Sequence, residues 1–180
     1  GDDNVYDFSI GNPDLPPPAK FYEVIERFAQ ERTRGASGYM PNAGFPDVRA
    51  KLAAKASAEQ GVTLAAEHLV MTVGAAGGLN VTLKTLLNPG DEIIVPAPYF
   101  VEYGAYAANH GGVLVKVPTT ADFSLDIAAI ESAVTTKTAA VIINSPNNPT
   151  GRIYPAEQIQ QLGEALQRAS ERVGRIIYLI

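Results

Sequence analysis

The sequence has no cysteine and only two histidines, His68 and His110, in 180 residues. A disulfide framework, a thiolate nucleophile and a Cys-based metal site are excluded, and a His-rich site has almost nothing to be built from. No metal is expected. No apolar run approaches the roughly 20 residues a spanning helix requires. The opening Gly1-Asp2-Asp3-Asn4 has neither the charged nor the apolar stretch of a secretory leader. The expectation is a cytoplasmic protein without a membrane partner. Positive charge is scarce as well: 14 Lys+Arg against 19 Asp+Glu leave a net charge of -5, with no basic stripe for a phosphate backbone. Nucleic acid is not expected. The G-x-G-x-x-G and G-x-x-x-x-G-K-[ST] phosphate loops are also missing, so a generic nucleotide-binding domain has no specific support.

What is present is 46% hydrophobic and 18% charged residues, enough apolar material for a sizeable core. Ser9-Ile10-Gly11-Asn12-Pro13-Asp14 and the prolines to Pro18 read as an extended arm. From Lys20 to about Arg34, Phe21, Val24, Ile25 and Phe28 recur with the spacing of one buried helix face. After the irregular stretch around Tyr39 and Gly44, Phe45, Val48, Leu52 and Ala56 mark a second amphipathic helix ending near Gly61. From Glu67 the period changes. HLVMTV reads as a strand, a helix follows from about Gly78 to Leu87, and EIIVP is a second strand. The alternation continues with a helix at Val101 to Ala108, a strand at Val113 to Val117 and a helix at Asp126 to Ala133. A strand at Ala139 to Asn144, a helix at Pro155 to Ser170 and a buried strand at Arg175 to Ile180 complete it. Such alternation predicts an α/β fold, three layers with a mostly parallel sheet between helices. Residues 1–44 are read as an arm and first helix, and 45–180 as the first part of a large domain. Because a strand with nothing after it leaves no loop at its ligand-binding end, the chain is expected to be the first part of a longer polypeptide.

Three stretches can carry chemistry. Gly74-Ala75-Ala76-Gly77-Gly78 joins the first expected strand to a helix; free N–H groups at a helix start make an anion site that small side chains leave open to a phosphate. A tight turn packing helix on strand is the alternative. Tyr99-Phe100 follows EIIVP at the ligand-binding edge, where an aromatic ring could cover a planar heteroaromatic ligand or simply join the core. Asn144-Ser145-Pro146-Asn147-Asn148-Pro149-Thr150-Gly151 spends eight residues on turn formers and side-chain amides after an apolar strand. Asn148-Pro149 is a candidate cis bond, and a plain turn is the alternative.

SPNNPTG after an apolar strand, with VGAAGG and PGDEIIVPAPYFVEY upstream, resembles the pyridoxal-phosphate-dependent aminotransferases of class I and II, fold type I. SIGNPD and SGYMPNAGFPDVRAKLA extend the resemblance over the whole chain. It implies the large domain of that fold in part, pyridoxal 5'-phosphate as cofactor, and amino group transfer between an amino acid and a 2-oxo acid. The alternatives on the same scaffold are a C–S lyase or decarboxylase, or a non-catalytic sensing domain. By the resemblance, Gly74, Ala75 and Ala76 hold the cofactor phosphate, Phe100 stacks on the ring, Asn148 bonds the phenolic oxygen, and Gly11 contacts the substrate carboxylate through its backbone. Tyr39 corresponds to a residue that reaches the other subunit's phosphate, which implies a homodimer. The family's Schiff-base Lys, ring-nitrogen carboxylate and substrate Arg have no counterpart here. Lys20, Lys51, Lys55, Lys84, Lys116 and Lys137 read as solvated charges, so the 180-residue chain alone is expected to be inactive.

Overall fold

The computed structural model describes residue 11, residues 15–31, residue 35 and residues 38–180. The chain divides into two compact units, Gly1–Phe45 and Pro46–Ile180. In the first, Leu15–Pro18 is exposed chain without regular structure, followed by helix α1, Ala19–Gln30. The remaining arm residues and the expected last turn at 32–34 lie outside the described residues. The apolar stripe of α1 formed, but its burial did not: Phe21, Val24, Ile25 and Phe28 are 52%, 40%, 51% and 67% exposed. Periodicity specifies which face can be buried; burial itself needs an opposing surface, and α1 buries no residue.

The second unit runs α2 (Pro46–Gln60), a 3-10 turn (Ala66–His68), α3 (Gly74–Leu86), β1 (Glu92–Ala97), α4 (Tyr103–Ala108), β2 (Val113–Pro118), α5 (Ile127–Ala133), β3 (Thr138–Val141), α6 (Ala156–Val173) and β4 (Tyr178–Leu179). Helix α2 buries Ala53 rather than the expected Phe45–Val48–Leu52 face. Its Arg49 donates to the carbonyls of Ala66 (3.0 Å) and Leu69 (3.3 Å), and Ser57 Oγ accepts from the Leu64 amide at 2.8 Å. These bonds fix the loop after α2 to the helix. The expected strand at HLVMTV is absent. Its start is the 3-10 turn, in which His68 Nδ1 accepts from the Ala65 amide, and its remainder pairs with no described strand, so Val70 and Val73 stand 61% and 93% exposed. β-branched composition alone does not make a strand without a neighbour.

The four strands are parallel in the order β2-β1-β3-β4. Strand β1 runs in register with β2 from Glu92–Val113 to Ala97–Pro118, and pairs on its other edge with β3 through Ile93–Ala140 and Ile94–Val141. Hydrogen-bonded on both edges and covered on both faces, β1 reads as a continuous apolar run, with Ile93, Ile94 and Val95 fully buried. Ile93, Val95, Ala140 and Ile142 face one cluster with Leu83 of α3 and Tyr103, Tyr106 and Ala107 of α4. Ile94 and Val141 face the other, with Ile130 of α5 and Leu162, Leu166 and Ala169 of α6. Helices on both faces of a parallel sheet are the three layers expected. The final run is the exception: β4 has two residues, and Tyr178 and Leu179 are 46% and 38% exposed rather than buried, because the strand lies at the sheet's edge with a neighbour on one side only.

Across the amino ends of the strands, Arg175 grips Asp91 with both terminal guanidinium nitrogens, at 2.8 and 2.6 Å, and also donates to the Lys137 carbonyl at 3.1 Å. One side chain thereby links the segments leading into β1, β3 and β4. The hydrogen bonds from Arg175, opposed in part by burial, hold the Asp91 carboxyl down at about 2 from 3.8. A carboxyl with a depressed folded-state pKa stabilises the fold above its unfolded pKa and ceases to do so as pH falls through the folded value. Urea titrations of the chain should therefore show Arg175→Gln less stable by about 2 kcal/mol at neutral pH, the gap closing between about pH 4 and pH 2.

Candidate active site

The chain leaves β1, returns as β2 on one side, and then crosses to place β3 on the other. The β1–α4–β2 connection covers one face of the sheet, and the β2–α5–β3 connection covers the opposite face. The loops after β1 and β3 consequently diverge, and between them opens the crevice that α/β sheets use for ligands. Ala75, Ala76, Leu79, Phe100, Glu102, Tyr103, Tyr106, Asn144 and Asn148 line a cleft of about 330 Å³ there. Four residues singled out from the sequence, Ala75, Ala76, Phe100 and Asn148, are thus brought together from three separate stretches.

The first stretch begins four residues earlier than its periodicity indicated. Gly74-Ala75-Ala76 is not a loop before the helix but the opening of α3. Gly74 lies at φ +65°, a backbone conformation that costs a residue with a Cβ about 1 kcal/mol or more, and its amide is taken by the Thr72 carbonyl at 3.0 Å. Gly74 does not line the cleft; it supplies the turn from which α3 starts. The amides of Ala75 and Ala76 have no acceptor among the described residues, and both residues line the cleft at the positive end of a 13-residue helix.

After β1, the half-buried Phe100 packs edge-on against Tyr103, centroids 5.6 Å apart at 77°. Tyr103 in turn stacks on Tyr99 at 6.4 Å and 18°, and Lys116 Nζ stands 5.6 Å from the Tyr99 centroid. Burial raises the Tyr103 hydroxyl pKa above its ordinary value and keeps it protonated. Phe100 is therefore held at a fixed angle by a supporting stack rather than loose in a loop.

After β3, the two asparagines divide their work. Asn147, 7% exposed, donates to the Pro98 carbonyl at 3.1 Å and to Thr150 Oγ1 at 2.9 Å, tying the β3 loop to the β1 loop. Asn144 Oδ1 accepts from the Asn148 amide at 2.9 Å, and Asn148, exposed at the cleft, keeps its own side chain without a partner among the described residues. The Asn148–Pro149 bond is cis, as are Ala97–Pro98 and Ser145–Pro146. The loop is buttressed from outside as well: Arg152 donates to Ser124 Oγ at 2.6 Å and pairs with Asp122 at 3.1 Å. Hydrogen bonds from Thr120 and Ser124, with Arg152 adding charge, hold the Asp122 carboxyl at about 2.

Asn144 opens one of the three candidate stretches without a role of its own, and the sequence assigns no role to Glu102, Tyr103 or Tyr106. A signal existed for the last three: at positions 102, 103 and 106 they share one side of a helix start that follows the ligand-edge strand. Gly11 and Tyr39 belong to the other unit, where both are exposed. All six lysines are exposed and none lines the cleft. Among the described residues no group of His, Asp or Glu could hold a metal, and no helix is long and apolar enough to cross a membrane.

A parallel sheet with a helix start, an aromatic and an asparagine converging at its crossover defines an α/β protein with a cleft at the change of strand order. The particular family follows from comparison: the model for aminotransferase class I and II matches residues 3–172, and the chain belongs to that family. It is 40% identical over 174 residues to a probable aspartate/prephenate aminotransferase of Thermus aquaticus, covering 94% of this chain and 44% of that protein. The aspartate/prephenate aminotransferase of Thermus thermophilus is 39% identical over 86% of this chain and 40% of its own length. An aminotransferase structure from Eubacterium rectale superposes with a TM-score of 0.93 at 38% identity, over 98% of this chain and 45% of that one. The chain therefore spans less than half the length of these relatives.

Because Asn147 joins the two loops that form the cleft, Asn147→Ala should lower stability by about 1–3 kcal/mol in thermal melts. Hydrogen exchange should speed up at the amides of residues 99–100, 147–148 and 150–151 while the β1 core amides stay protected.

Proposed function

We propose that the parent polypeptide is a pyridoxal-phosphate-dependent aminotransferase that moves an amino group between an amino acid and a 2-oxo acid, and that this chain supplies the anchoring part of its cofactor site. The observation that carries the reading is the convergence of two unpartnered helix-start amides with Phe100 and Asn148 in one cleft. A phosphate needs N–H donors and a positive dipole, a pyridine ring needs an aromatic face, and a phenolic oxygen needs a neutral donor; the residues present fit each part of the cofactor. The relatives are named as aspartate or aspartate/prephenate aminotransferases, which supports an amino acid donor and a 2-oxo acid acceptor.

When bound, the cofactor's conjugated ring supplies a sink for the electrons of a bond broken at the substrate α-carbon. The amides of Ala75 and Ala76 would bind the phosphate and fix one end of the ring. Phe100 would support the ring face at the angle its tyrosine stack sets, and the Asn148 amide would donate to the phenolic oxygen and stabilise its negative charge. The same reading gives Gly11 a backbone contact to the substrate carboxylate, has Tyr39 serve the site of a second subunit, and takes the parent as a cytoplasmic homodimer. With every lysine of this chain exposed and none in the cleft, the reading draws the imine-forming Lys, the ring-nitrogen carboxylate and the substrate Arg from the greater length its relatives have.

Equilibrium dialysis against pyridoxal 5'-phosphate tests this. The chain should bind one equivalent reversibly, and borohydride should leave its intact mass without a stoichiometric adduct. Ala75→Pro removes one donor at a helix position that tolerates proline, and should weaken binding about tenfold or more. A chain that does not bind, or a variant that binds equally well, would overturn the reading.

A further inference from the structure

Nine residues line the cleft, and only Glu102 among them carries a full charge. It stands immediately before α4, and Tyr106, one turn further on, donates its hydroxyl hydrogen to Glu102 Oε2. Tyr106 is anchored in turn, 8% exposed within the cluster formed with Leu83, Ile93 and Tyr103. A carboxylate that would otherwise sample solvent is therefore held on the cleft wall by a side chain that cannot itself move away. The hydrogen bond to Glu102, with burial added, raises the Tyr106 pKa above its ordinary value, so the hydroxyl remains a donor.

This arrangement is odd for a site whose other end attracts anions. A negative charge sharing an open cleft with the Ala75 and Ala76 amides repels any anion bound there, and no Lys, Arg or His among the lining residues offsets it. The repulsion is compensated only when the ligand brings its own positive or hydrogen-donating group.

We propose that Glu102, held in place by Tyr106, sets the charge selectivity of the cleft, favouring ligands that combine an anionic end with a cationic or hydrogen-donating ring edge over ligands that are anionic throughout. Glu102 is the selecting group and Tyr106 a positioning residue. The proposal rests on the cofactor reading above and assigns a specificity element to the same cleft.

The test measures two dissociation constants, for pyridoxal 5'-phosphate directly and for inorganic phosphate by competition, with the unaltered chain, Glu102→Gln, Glu102→Asp and Tyr106→Phe. Glu102→Gln is nearly isosteric at an exposed position, so folding is not at issue. The preference for pyridoxal 5'-phosphate over inorganic phosphate should fall about tenfold in Glu102→Gln and about threefold in Tyr106→Phe, with Glu102→Asp recovering part of it. General damage to the cleft would weaken both ligands together and leave the ratio unchanged; that result, or no change at all, overturns the proposal while leaving the cofactor reading intact. Failure of the unaltered chain to bind pyridoxal 5'-phosphate overturns both.

Discussion

Strand β1 is hydrogen-bonded along both edges and sealed on both faces, and the rest of the second unit is arranged by that constraint. A strand so enclosed leaves the following chain two ways to proceed, and this chain takes one and then the other: β2 is laid on one edge, β3 on the opposite edge. In a parallel sheet each connection must cross a face to return, so the change of edge is also a change of face, from α4 to α5 and α6. The two loops that leave the carboxyl ends of β1 and β3 are thereby driven apart. The cleft is what remains between them, and Asn147, donating to the Pro98 carbonyl, limits how far they separate.

Much of this was legible in the sequence because parallel strands and their helices leave different periods. EIIVP, the Val113 run and the Ala139 run all became strands within a few residues of their expected limits, as short apolar runs bounded by turn residues should. The failures share one cause. HLVMTV has strand composition and α1 has a helical stripe, but pairing and burial are properties of two surfaces, and each sequence describes only one of them. The run at Arg175–Ile180 was overestimated for the same reason: its residues suit a buried strand, and its place at the sheet's edge is set by the order in which the chain returns.

At the cleft, the sequence was most informative where a residue's type and its position after a strand agreed. Ala75, Ala76, Phe100 and Asn148 satisfy both conditions and lie together. The boundary of α3 lies earlier than its periodicity indicates because glycine and alanine fit a turn and a helix start about equally well, and the i→i−4 bond from the Gly77 amide to the Val73 carbonyl distinguishes them. Glu102 and Tyr106 were harder to see, since a carboxylate at a helix start ordinarily reads as a complement to the dipole or as a solvated charge. Their pairing depends on the turn of α4 bringing positions 102 and 106 to one side, and on Tyr106 being rooted in the core beneath.

On the proposed reading, the cleft separates holding from reacting. Backbone dipoles, an aromatic face supported by a tyrosine stack and a neutral amide keep their character across the range where carboxylates and histidines titrate, because neither a peptide N–H nor an Asn side chain changes charge there. Burial raises the Tyr103 pKa and the hydrogen bond to Glu102 raises that of Tyr106, so both hydroxyls stay protonated there. Anchoring built from such groups does not change with the protonation events of a reaction carried out above it. A nucleophile or base placed in the same cleft would be coupled to every ligand charge through a short, partly dry gap. A wall with Glu102 as its one charged side chain would leave the anchoring surface constant while chemistry is supplied by other residues.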